Sequence, residues 1–287
     1  MKQLFSVVLI LMGFLCLAAP MGYAQQQAET SVADKVKLQE GPSTGDLGKV
    51  AEVQVPPGYV FAGAADTRLL MEAMHNPVSG TELGFMAPTG GKWFVVFEFD
   101  QVGYVKDDEK GTLDSDAMLK SIQQGNEAGN KERAKRGWAT LNITGWEQPP
   151  RYNPETQNLE WAIKGESEGQ PIVNWNTRLL GREGVMKVTL VAGPEELQET
   201  LPAYSSPLSG YSYKSGHRYA EFTQGDKVAK YGLSALVVGG ATAVAAKSGL
   251  LKSLWKVIVV GVLAAAAFFK KLFSRKKDDA ISPSRQA

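Results

Sequence analysis

The stretch Ile172–Val191, "IVNWNTRLLGREGVMKVTLV", decides the fold. Two apolar-rich runs, 172–180 and 185–191, flank Gly181-Arg182-Glu183-Gly184. That order predicts two antiparallel strands joined by a tight turn, with Gly184 free to take a positive φ. In the first strand Val173, Trp175, Thr177 and Leu179 point one way, and Asn174, Asn176 and Arg178 the other. Two amides and a guanidinium in a row form a candidate platform for a carboxylate, a sugar or a peptide backbone. An antiparallel sheet facing water presents the same alternation, so at this point both readings stand.

Further strands lie on either side. Upstream, 140–148 and 159–164 read as strands with "PRYNPETQN" as the turn between them. "KWFVVFEFD", from Lys92, is an unbroken apolar run of the kind found in a central strand covered on both faces, and "TELGFMAP" before it is its hairpin partner. "LGKVAEVQVPPGYVFAG" alternates and then turns at Pro56-Pro57-Gly58. Helices are expected at "ADTRLLMEAMHN", with Asp66 as the cap, at Asp114–Arg136, whose acidic start and basic end suit the helix dipole, and at "GPEELQETLPAY". "GYSYKSGHRYAEF" reads as a link to the membrane segment. The fold class is therefore α+β: an antiparallel sheet with packed helices, followed by a C-terminal transmembrane helix.

The ends of the 287-residue chain set its expected location. Lys2, an apolar run to Ala19 and small residues up to Ala24 match a secretory signal peptide, 1–24, cleaved before Gln25; an uncleaved anchor is the rival. Residues 25–46 are polar and read as a flexible arm. The exported domain takes 47–225, and a Gly/Ala-rich juxtamembrane or interfacial helix takes 226–249. In that helix Gly239 and Gly240 are candidates for self-association through close helix contact.

The membrane span is assigned to 250–273. Lys252, Trp255, Lys256, Lys270 and Lys271 sit where interfacial anchors belong, and the tail 274–287 is basic. Positive charge beyond the span places that tail in the cytoplasm and the domain in the periplasm. A two-span hairpin would send the basic tail outward, against that rule.

Composition excludes several functions. The only cysteine, Cys16, lies in the leader, so disulfides, thiolate metal sites and a Cys nucleophile are absent from the cleaved chain. Residues 25–246 hold 21 basic and 28 acidic side chains, a net charge of −7, which argues against nucleic acid. His75 and His217 lack a metal-ligand pattern, although Glu221 lies four residues past His217. Asp107, Asp108 and Glu109 in "YVKDDEKG" lack calcium-loop spacing and read as a solvated turn. Asn126, Asn130 and Arg133 give the long helix a polar stripe facing the sheet edge or a partner. No nucleophile elbow, phosphate loop or H-E-x-x-H occurs, so no catalytic residue, cofactor or metal is assigned. The expected partners are inner-membrane lipids, a periplasmic or membrane protein, or a second copy.

"TGWEQPPRYNPETQNLEWAI", "NWNTRLLGREG", "GHRYAEFTQGDKVAKYGLSALVVGG", "GYVKDDE" and "NEAGNKERAKRGW" all occur in the chain, and over about 41–273 it resembles the domain of unknown function 2167 family. The resemblance implies an uncharacterised bacterial inner-membrane protein with an exported domain, and it brings no catalytic residues. The element order is also similar to small α+β domains of the Mog1/PsbP kind, an analogy of fold alone.

Overall fold

The computed structural model describes residues 35–239, apart from residues 77 and 92. The folded unit from Val36 onward is mostly β. Its strands are β1 (Gln39–Glu40), β2 (Ser43–Leu47), β3 (Ala51–Val55), β4 (Tyr59–Gly63), β5 (Glu82–Pro88), β6 (Phe94–Asp100), β7 (Asn142–Asn153), β8 (Asn158–Ser167), β9 (Gln170–Leu180), β10 (Val185–Ala192) and β11 (Tyr211–Tyr213). Among the described residues its helices are α1 (Ala64–Ala73), α2 (Ser115–Lys135), α3 (Leu197–Ser209) and α4 (Leu233–Val238), with a 3-10 turn at Tyr219–Glu221.

Eight strands form one antiparallel sheet in the order β1-β4-β5-β6-β10-β9-β8-β7. Two meanders meet at its middle. The chain climbs through β4, β5 and β6, crosses through α2 to the far edge, and winds back through β7, β8 and β9 until β10 pairs with β6. This closure buries β6, and Phe94 to Phe97 are all covered, as the unbroken apolar run predicts. A second sheet, β11-β3-β2, and helix α3 supply Val53, Val55 and Tyr204 to one face of the large sheet, against Phe97, Trp175, Val188 and Leu190.

On the opposite face α2 and α4 bring Met118, Ile122, Leu233 and Leu236 onto Leu159, Trp161, Ile163 and Leu180. Helix α1 lies over β4 and β5. His75, just past α1, stacks on Trp138, just past α2, with ring centroids 5.8 Å apart.

Several expectations change. Within the expected arm, 25–46, residues 39–40 and 43–46 are strand. Their side chains are largely exposed, so backbone pairing holds them and polarity misleads. Asp66 lies inside the first turn of α1, and Gly63 is its cap. Strand β7 continues through the Pro149-Pro150 pair to Asn153, which shortens the turn to 154–157; Pro is tolerated there because β7 is a sheet edge. The link after α3 is structural: Tyr213 is buried, its hydroxyl donating to Leu179 O at 2.7 Å and accepting from Met186 N at 3.0 Å.

Gly184 does not take a positive φ. It is required because a Cβ there would lie 2.2 Å from Asp100 O. Among the described residues no helix is long and apolar enough to cross a membrane. The leader 1–24, the proposed span 250–273 and the tail 274–287 lie outside the described residues, so the expected C-terminal transmembrane helix falls there too.

Candidate functional site

Asn174, Asn176 and Arg178 share one face of β9, as the alternation predicts, but that face is not the solvated exterior. They are 6, 9 and 9% exposed. The reason is tertiary: α1 and α2 flank this face, and bulky neighbours on β8 close over it. A buried polar row is more demanding than an exposed one, since each group needs a partner.

Strand register builds that row. Arg178 on β9 stands opposite Lys187 on β10, Lys187 opposite Glu98 on β6, and Glu98 opposite Glu82 on β5. Two cations and two carboxylates thus cross four adjacent strands on one face. The next row holds Trp161, Asn176 and Thr189.

The carboxylates are well occupied. Lys187 Nζ lies 3.2 Å from Glu98 and 3.3 Å from Asp100. Burial pulls the Lys187 ammonium down, but Glu98 and Asp100 outweigh it and hold its pKa above the ordinary lysine value. Thr81 Oγ1 also donates to Glu98 at 3.1 Å. Glu82 accepts from the Ser79 N–H, the Ser79 hydroxyl at 2.8 Å and the Gly80 N–H at 2.8 Å. Burial raises the Glu82 carboxyl, yet these hydrogen bonds together hold it below the usual range.

Arg178 is treated differently. Its Nη1 donates to Thr177 O at 3.2 Å, and its guanidinium stacks over Trp161 at 4.5 Å from the ring centroid. It has no carboxylate within ion-pair distance among the described residues, and burial pulls its pKa down to about 10. The neighbouring indole Nε1 of Trp161 is buried without a hydrogen-bond partner. Asn176 Nδ2 donates to Asn174 O at 3.1 Å. The chemistry on offer is donation: a planar cation on an aromatic floor, beside carboxylates already committed to Lys187 and to hydroxyl and amide groups.

Sequence reasoning found β9 but missed Lys187, Glu98, Glu82 and Trp161. A signal was present, because Lys187 and Glu98 are lone charges inside apolar runs. Charges placed that way in two strands are expected to find each other.

Other singled-out groups serve the fold. Asn126 Nδ2 donates to Leu141 O at 2.7 Å, Leu141 N donates to Asn130 Oδ1 at 2.9 Å, and Arg133 donates to Ala139 O at 3.0 Å. The polar stripe of α2 therefore grips the chain entering β7, which is the sheet edge. Glu109 is no solvated turn residue: it accepts from Ser234 N at 2.7 Å and caps α4 from outside. Asp107 accepts from Tyr152 OH at 3.2 Å.

His217 Nδ1 lies 3.1 Å from Glu183, while Glu221 instead accepts from Gly216 N and Arg218 N. Among the described residues no cluster of His, Cys, Asp and Glu could hold a metal. Gly239 ends α4 with φ 117°, a left-handed cap. Gly240, Lys252, Trp255, Lys256, Lys270 and Lys271 lie outside the described residues.

A family model described as "Protein of unknown function (DUF2167)" matches residues 39–269. No curated protein matches the chain. Among solved structures, the solution structure of cyanobacterial PsbP (CyanoP) from Synechocystis sp. PCC 6803 is 10% identical, with a TM-score of 0.37, covering 62% of this chain and 94% of its own.

Proposed function

The chain belongs to the family described as protein of unknown function (DUF2167), and from that premise we propose that it is a membrane-tethered interaction module of the bacterial envelope. On this reading a leader exports the chain, the apolar run near its C-terminus holds it in the inner membrane, and the acidic domain meets protein or envelope ligands in the periplasm.

The observation that carries the reading is how firmly the domain holds the chain leading to that run. Arg182 grips Asp226 with two hydrogen bonds, Nε at 2.7 Å and Nη2 at 2.8 Å. Tyr104 N donates to Lys227 O, and Ala229 N to Tyr104 O, each at 2.8 Å. Helix α4 then docks in the core. A tether working through a rigid exit point needs such a clasp, whereas a loose linker does not.

Protease treatment of spheroplasts carrying a C-terminally tagged chain tests the topology. Digestion of the domain with survival of the tag is expected. Protection of the domain in intact spheroplasts overturns the reading.

Self-association through Gly239 and Gly240 is the alternative. Gly239 already has a local task as the α4 cap, so Gly240→Leu is the discriminating change. Loss of cross-linked dimers in that variant supports self-association, and unchanged cross-linking removes it.

A further inference from the structure

We propose that the middle of the α1/α2 face of the large sheet is a carboxylate-binding site, with the Arg178 guanidinium as its fork and Trp161 as its floor. The site stands on the geometry of the domain and goes beyond the tethered reading, because it would bind wherever the domain resides.

Arg178 is sparsely partnered. It is nine-tenths covered, yet a backbone carbonyl and an indole face are what it touches. A buried charge is ordinarily paired or heavily hydrogen-bonded, because desolvation is costly. Three carboxylates lie on or beside the same row, but Glu98 and Asp100 are drawn to Lys187, and Glu82 is taken by the Ser79 and Gly80 donors. The planar five-donor group is thereby held in place by stacking and left with donors to offer. Trp161 Nε1 is a second buried donor without a partner in the same patch.

Lys187 and Asp100 side chains keep 19 and 28% of their surface exposed. The row therefore meets solvent at Lys187, directly beside Arg178 in register, and at the neighbouring Asp100, while Trp161 is only 2% exposed.

A guanidinium fork matches a planar carboxylate with two parallel hydrogen bonds. Glu98 and Asp100 stand close enough to oppose a doubly charged phosphate, and a singly charged carboxylate meets less repulsion. Trp161 Nε1, a neutral donor in the same patch, suits the carbonyl of an adjoining amide, so the ligand class is a carboxylate next to an amide.

The test titrates the full chain in detergent with N-acetylglycine at constant ionic strength, followed by tryptophan fluorescence and calorimetry. N-acetylglycinamide and inorganic phosphate are the comparison probes. A saturable response to N-acetylglycine and none to its amide is expected. Arg178→Lys keeps the charge but loses the fork, and should bind about 10- to 100-fold more weakly. Arg178→Met should not bind, with near-ultraviolet circular dichroism showing that it folds; if it does not fold, Arg178→Lys decides. No saturable response from the natural chain, equal binding by Arg178→Lys, or a response to phosphate without one to N-acetylglycine would each overturn the proposal. None of these outcomes depends on which side of a membrane the domain occupies.

Discussion

The two faces of β9 are both buried, and they are built on opposite principles. On one, Val173, Trp175 and Leu179 pack with Phe97, Met186 and Val188 under α3 and the small sheet, and Thr177 meets the Tyr204 hydroxyl at 2.9 Å. On the other, Arg178, Lys187, Glu98 and Glu82 run side by side across four strands. The first face gains stability from removing apolar area from water and tolerates loss of detail only through a cavity. The second gains little net stability from its charges, since desolvation offsets attraction, and its carboxylates depend on Lys187 staying in place. One strand thus carries a scaffold on one side and a specific polar arrangement on the other.

That contrast can be broken or sharpened by substitution, read as urea denaturation of the full chain. Phe97→Ala, on the apolar face, should cost most, about 3–5 kcal/mol, because a fully covered ring leaves a cavity. Lys187→Met should cost nearly as much, about 3 kcal/mol, since it strands the buried Glu98 carboxylate. A cost near zero for Lys187→Met would mean that the row is solvated, and the contrast between the faces would collapse.

Tyr213→Phe removes the hydroxyl that bridges Leu179 O and Met186 N, and should cost about 1–3 kcal/mol. Arg178→Met should have the smallest effect, within about 1 kcal/mol, because it strands no carboxylate and the relief of a buried charge offsets the lost stacking on Trp161. A large loss there would make Arg178 a structural residue instead of a ligand-facing one.

Acid separates the faces as well. The Glu82 carboxyl is held below its unfolded value, so its contribution is fully present above about pH 4.3. That contribution is lost as pH falls through the lowered folded value. The stability gap between the natural chain and Glu82→Gln should therefore be widest at neutral pH and shrink toward about pH 3, whereas the Phe97→Ala gap should change little. Denaturation of both variants at the two pH values checks this.

Much of the scaffold was legible because its signals are local. The β5–β6 and β9–β10 hairpins follow from apolar runs flanking glycine turns, and α2 from its Asp114 cap and dipole-matched ends. What escaped was held by the backbone or by distant partners. Residues 39–47 pair through main-chain groups, which composition does not record. Tyr213 looked like a linker residue because its acceptor lies 34 positions away. Of the candidate site, Asn174, Asn176 and Arg178 were visible as one face, but nothing local distinguished a solvated face from a covered one.

Residue order along the chain specifies strand alternation and the Asp114 start of α2, because each depends on neighbours within a few positions. Which alternate face is covered, and which charge meets which, depends on the β6–β10 pairing that joins the two meanders, across some 90 residues of chain. That single pairing sets Lys187 against Glu98 and leaves Arg178 one strand too far for an ion pair. A direct ion pair needs the groups within about 4 Å, so one strand of separation leaves Arg178 in the field of Glu98 and Asp100 but without a carboxylate on its donors.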